Sequence, residues 1–156
     1  MARSPELLDA RVIATLATVD ADGLPYLSAV WFARDGDDVL IATGGRTRKA
    51  RNAAARPVAA VLLHGRGETP LYGLAASGPV AVVRGPEARE LNERVWRKYL
   101  TPAGRTHPDL GERIAEHDDV TLRLRPGPWR SWSTAGDFAG IYEVPGLVLS
   151  LDPTDR

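Results

Sequence analysis

The sequence predicts an α+β domain, mainly β, built as an antiparallel barrel-like sheet with flanking helices. Three observations predict it. Short apolar runs recur at close spacing, each bounded by Gly, Pro, Asp or Asn. One long segment, after Pro86, carries its apolar residues at helical spacing. Strands and helices do not alternate in the regular way that a parallel βαβ sheet requires.

Glu6-Leu7-Leu8-Asp9-Ala10 reads as a short helix or its end. Arg11 to Val19 reads as a strand, followed by the turn Asp20-Ala21-Asp22-Gly23. A second strand runs from Pro25 to Ala33, with Leu27, Ala29 and Trp31 on one face and Tyr26, Ser28, Val30 and Phe32 on the other. Both faces are largely apolar, so neither is expected to be fully solvated. Asp35-Gly36 turns the chain into the strand Val39 to Ala42. Thr43 to Asn52 then reads as a glycine turn opening a short helix, which Arg56-Pro57 ends because the residue before proline is pushed out of helical geometry. Val58 to His64 is a strand, Gly65 to Pro70 a turn cluster, and Leu71 to Arg84 a long or bulged strand. Pro86 starts an amphipathic helix with Ala88, Leu91, Val95 and Tyr99 on its apolar stripe. A loop at Thr101 to Gly104, a short helix from Pro108 to Glu116, and strands at Val120 to Leu124 and Trp129 to Ser133 complete the readable part. The tail from Thr134 to Arg156 is punctuated by glycine and proline and has no assignment.

At 156 residues the chain is expected to form one domain with one core. Its 20 basic residues balance 20 acidic ones, which removes the footprint of a general nucleic-acid binder. Without cysteine there are no disulfides, thiolate metal sites or cysteine nucleophile. No apolar signal core follows Met1 and no run is long enough for a membrane span, so the expected location is the cytoplasm.

The clearest chemical feature is Thr43 to Asn52. A helix start leaves backbone N–H groups unpaired and carries the positive end of the macrodipole, and here the same turn brings Arg46, Arg48 and Lys49. That combination suits a phosphate; basic residues on a short alanine-rich helix also commonly form a solvated face. The usual catalytic signatures are missing. There is no Gly-x-Ser-x-Gly elbow, no phosphate loop and no Gly-x-Gly-x-x-Gly fingerprint. His64, His107 and His117 are too scattered to suggest a metal, and no carboxylate pair stands out for acid–base work. Trp31 and Trp96 read as core, whereas Trp129 and Trp132 either cover a flat ring or pack the barrel end. An enzyme with no protein nucleophile, base or metal relies on a cofactor.

An ordered series of segments carries a resemblance. Leu16 to Pro25, Ser28 to Phe32, Ile41 to Thr43, Arg46 to Asn52, Val58 to Leu62 and Leu74 to Val80 together resemble the pyridoxamine 5′-phosphate oxidase-like, flavin-binding split β-barrel superfamily, over about residues 8–133. The resemblance implies a homodimer of split β-barrels with FMN, or alternatively the deazaflavin coenzyme F420, at the subunit interface. It implies that Thr47-Arg48-Lys49-Ala50 matches the Ser-Arg-Lys-Gly segment that holds the FMN phosphate, with Thr43 beside it. It also implies that Ser28, Val30 and Trp31 lie along the flavin ring, mostly through backbone groups, and that Trp132 approaches the ring from the partner subunit. Arg46 and Arg51 are extra cations suited to the acidic tail of the deazaflavin.

Two positions depart from the oxidases. Gly73 stands where they carry a flavin-contacting glutamine, and Trp129-Arg130 runs on into Ser131-Trp132-Ser133 in place of their C-terminal motif. Authentic pyridoxamine phosphate oxidation is therefore not expected. The implied activity is hydride transfer between a flavin-type cofactor and a small organic substrate, with no catalytic side chain and no metal. The alternative is a non-enzymatic flavin-binding or haem-handling protein on the same barrel. Neither nucleic acid nor membrane is an expected partner.

Overall fold

A computed structural model describes residues 4–65, 72–117 and 119–133. The turn cluster at 66–70, Leu71 and the tail 134–156 lie outside the described residues. Among the described residues the order is α1 (Ser4–Asp9), β1 (Ala14–Val19), β2 (Pro25–Val30), β3 (Ala33–Asp35), β4 (Asp38–Thr43), α2 (Arg48–Ala55), β5 (Val58–His64), β6 (Tyr72–Arg84), α3 (Gly85–Tyr99), α4 (Pro102–Thr106), α5 (Pro108–Glu116), β7 (Val120–Leu124) and β8 (Arg130–Ser133).

The strands pair antiparallel in the order β2-β1-β5-β6-β7-β4-β3, with β8 also on β6. The ends of this path, β2 and β3, are separated in the chain by Trp31 and Phe32 alone. Three Cα steps reach no further than about 11 Å, so the sheet has to curl until its ends meet. That is a barrel, split where β2 and β3 do not pair. The single strand expected over Pro25 to Ala33 is thus two strands, because its first part pairs with β1 and its last with β4. β1 begins at Ala14, three residues later than expected, where pairing with Val30 begins.

The thirteen-residue β6 joins the two halves: Gly73 to Pro79 pair with β5, and Val80 to Arg84 with β7. β7 and β8 follow each other along one edge of β6, linked by Arg125 N–H to the Pro79 carbonyl and Gly127 N–H to the Ser77 carbonyl. The chain passes so close there that a Cβ on Gly78 would stand 2.1 Å from the Arg125 carbonyl oxygen.

The barrel interior is filled by Leu16, Phe32, Ile41, Val61, Leu63, Val80, Leu122 and Leu124, all buried. Each contributes about 1.5–3 kcal/mol by leaving water. A second cluster forms on the other side of β4, where Ala33 and Leu40 meet Leu91 and Val95 of α3. Trp31 belongs here: its ring stacks on Tyr99 at 4.8 Å and meets Trp96 edge-on at 6.0 Å. Sandwiched between barrel and α3, β4 is buried on both faces.

The stretch from Thr101 to Gly104, expected as a loop, opens α4. Thr101 caps it by accepting the Gly104 N–H, and Pro102 tolerates the first position without an N–H partner. No described helix is long and apolar enough to cross a membrane.

Candidate functional site

The strand–turn–helix at 43–52 forms one corner of the barrel, where α2 lies with Ala50 and Ala53 fully buried. Thr47 is the N-cap, its Oγ1 accepting the Ala50 N–H at 3.4 Å. The same hydroxyl donates to the Gly44 carbonyl at 2.8 Å. Its one proton is spent there, so in the 2.9 Å contact between the two hydroxyls it is Thr43 that donates. Both threonines therefore shape the turn with their protons.

The donors left for an anion lie just beyond. The backbone N–H groups of Arg48 and Lys49 have no partner among the described residues. Lys49 is half-buried, and burial pushes its ammonium pKa down. It makes no ion pair or hydrogen bond among the described residues. A cation losing hydration with nothing in exchange is chemistry that an anion would satisfy.

Arg48 is only partly available. One guanidinium nitrogen donates to Asp20 Oδ2 at 2.7 Å, and the group lies 4.7 Å from the centroid of the Tyr26 ring. Burial works to raise the Asp20 pKa, but the N–H groups of Asp22 and Leu24 and the Arg48 guanidinium prevail and hold it below the usual carboxylate range. Arg48 thus pins the β1–β2 turn to α2, as does buried Asn52, which donates to Thr18 Oγ1. Its remaining nitrogens stay free to face a ligand. Arg46 is exposed and its carbonyl accepts from Arg51.

From Tyr26 the same face of β2 continues to Ser28 and Val30. Ser28 Oγ is buried with no hydrogen-bond partner among the described residues, a deficit on the order of 1–3 kcal/mol unless something else satisfies it. Val30 is core, and the Trp31 ring is occupied under α3, so only their backbone is left to meet a ligand. Trp132 sits at a different edge. It pairs with Gly73 in register and lies across it so closely that a Cβ there would stand 2.5 Å from the indole. Gly73, the departure from the oxidases, is what admits that ring. Trp129 packs on the core, whereas Trp132 is 43% exposed.

Three contributors escaped the sequence reading. Asp20 and Tyr26 reach Arg48 from the first hairpin, and Asp119 accepts the Gly45 N–H at 2.9 Å from beyond α5. Nothing local marked them, since each acts on a residue far away in the chain. Among the described residues no group of three His, Asp or Glu side chains is arranged to hold a metal.

The outer face of β2-β1-β5-β6 is apolar and open. Leu27, Ala17, Ala60 and Ser77 align across the four strands, and Ala29, Thr15, Leu62 and Ala75 form the next row. Leu27 is 62% and Val58 52% exposed. A shallow groove of about 600 Å³ runs over these rows to Pro128 and Arg130.

The pyridoxamine 5′-phosphate oxidase family model matches residues 4–133. The chain is similar to the structure of a conserved hypothetical protein from Mycobacterium tuberculosis, 23% identical, covering 93% of this chain and 88% of that one with a TM-score of 0.69. An F420 reductase is 26% identical, with 81% and 95% covered and a TM-score of 0.66. HutZ, the haem storage protein from Vibrio cholerae, is 20% identical, with 83% and 90% covered and a TM-score of 0.60. No curated protein matches the sequence.

Proposed function

Because the chain belongs to the pyridoxamine 5′-phosphate oxidase family, we propose that it binds a flavin-type cofactor at the corner formed by Thr43, Thr47, Arg48 and Lys49. FMN is the first choice and coenzyme F420 the alternative, the latter supported by the likeness to an F420 reductase. The observation that carries the reading is the set of unmet groups at the start of α2: the Arg48 and Lys49 N–H groups and the Lys49 ammonium, none with a partner among the described residues. On β2, two residues beyond Tyr26, the Ser28 hydroxyl is also unsatisfied among the described residues. These suit a phosphate followed by a polar chain, bound by charge-assisted hydrogen bonds of about 1.5–3 kcal/mol each.

The bound group would supply hydride transfer to or from a small organic substrate, making the protein a cytoplasmic oxidoreductase. Lys49 and the helix start hold the phosphate, Thr43 and Thr47 keep the turn in shape, and Arg46 and Arg51 are the exposed cations nearest the turn for a longer acidic tail. The open sheet face is assigned to a second copy of the chain. Its aligned small side chains allow two sheets to approach to about 10 Å, and an apolar patch of this kind marks an interaction surface. A homodimer of that kind would place the cofactor at the subunit interface, with Trp132 contributed by the partner.

Titration with FMN and with F420, followed by absorbance and sedimentation, tests this reading. Tight binding of one of them to a dimer is expected; no binding of either would remove it. Binding without reduction of any quinone, enone or dye would leave the non-enzymatic flavin-binding or haem-handling alternative, which a haem titration then decides.

A further inference from the structure

The chain has two lysines against eighteen arginines, and both lysines are half-buried. Lys49 belongs to the corner described above. Lys98, in the last turn of α3, lies elsewhere, and we propose that it is a nucleophilic amine that forms a reversible imine with a small 2-oxo acid or similar anionic carbonyl compound. The proposal is independent of the flavin reading.

The amine is held at the edge of a groove of about 370 Å³ lined by Leu8, Asp9, Arg34, Asp35, Arg94 and Lys98 itself. Its Nζ sits 3.6 Å from the centroid of the Phe32 ring and donates to the Leu8 carbonyl at 3.0 Å, so its position is fixed. The charged groups that share the groove with it are Asp9 from α1, which acts on it directly, Arg34 and Asp35 from β3, and Arg94 from α3; the Tyr99 ring centroid is 5.6 Å from Nζ. Burial pushes the Lys98 ammonium down to about 8 against the opposing pull of Asp9. Near pH 8 a larger share of it is therefore free amine than an ordinary lysine keeps.

The groove also supplies recognition. Arg34 directs one nitrogen to Asp9, and Arg94 one to Asp35, so each guanidinium keeps donors for a carboxylate in the groove. The step balances without an oxidant. The amine lone pair attacks the carbonyl carbon, the two N–H protons of the neutral amine pass to the carbonyl oxygen, which leaves as water, and the C=N bond forms. Arginine at position 98 would keep a cation over Phe32 but offer no free amine.

The test treats the full chain with glyoxylate and cyanoborohydride and maps the reduced adduct by mass spectrometry. Lys98 is expected to be labelled at least tenfold faster than Lys49, with saturation in glyoxylate and a midpoint near pH 8. Arg94→Gln is expected to raise the half-saturating concentration severalfold, and Lys98→Arg to remove the adduct while leaving the circular dichroism spectrum intact. Labelling that is linear in glyoxylate, no faster than at Lys49, or indifferent to Arg94→Gln overturns the proposal.

Discussion

The corner around α2 and the outer face of β2-β1-β5-β6 leave opposite needs unmet. In the corner almost every polar side chain has a partner: Asp20 with Arg48, Thr18 with Asn52, Thr43 with Thr47. What remains is positive charge and N–H donors at one point. On the sheet face the four strands pair through the ladder, with only the outer edge of β2 open at the split, and what remains is apolar surface spread over two rows of side chains. A concentrated electrostatic deficit selects a small charged ligand, whereas a dispersed apolar one selects a second protein surface. On the proposed reading, the corner would hold the cofactor's phosphate and the sheet face would meet the second copy of the chain.

The most damaging way to break the comparison is on the face. Leu27→Arg places a charge on the largest exposed side chain of the first row, at its β2 end, and sedimentation is expected to show a monomer even at high concentration; a dimer in that variant would mean that association uses another surface. In the corner, Lys49→Ala is expected to weaken cofactor binding about 10- to 100-fold, measured by titration, with no change in association state. Loss of both properties together would show that the two regions are one energetic unit.

A sharper comparison sets the corner lysine beside Lys98. The folded-state pKa of Lys98 is lowered to about 8, while the unfolded chain titrates near 10.4. Between those values the unfolded state holds more protons, so folding stability is expected to rise with pH. After allowance for its half exposure the rise is about 1–2 kcal/mol. Lys98→Met is expected to flatten that rise in urea melts at pH 7.5 and pH 10.5. Lys49 shifts in the same direction and would supply the residual slope.

The smallest effect concerns Asp20. Its folded-state pKa is depressed, so its contribution is present above the unfolded value near 3.9 and lost as pH falls through the lower folded one. Asp20→Asn is expected to lower the melting temperature slightly at pH 7 and hardly at all at pH 2. Equal losses at both pH values would assign its role to hydrogen bonds that asparagine cannot keep.

Most of the barrel was legible because strands announce themselves locally. Val58 to His64 and Val120 to Leu124 keep the bounds that period and turn residues assign them, and Thr43 to Asn52 is a strand end, glycine turn and helix start as expected. The break at Trp31-Phe32 was not legible. Both residues are apolar and extended, and only pairing with two different strands, β1 and β4, divides the run. The same limit applied to α4, where the Thr101-Pro102 start resembles a turn until its cap hydrogen bond is seen.

By itself, then, the sequence determined the class of fold, the family and the point of concentrated positive charge. These depend on residue type, spacing and backbone chemistry within a few residues. Tertiary structure alone decided how that charge is divided. Asp20, twenty-eight positions before Arg48, takes up one of its guanidinium nitrogens, while among the described residues nothing comparable reaches Lys49. The orphaning of the Ser28 hydroxyl, the burial of the Trp31 ring under α3 and the lowered pKa of Lys98 are decisions of the same kind. Desolvation and pairing depend on what the fold brings within a few ångströms, and residues distant in sequence supply it.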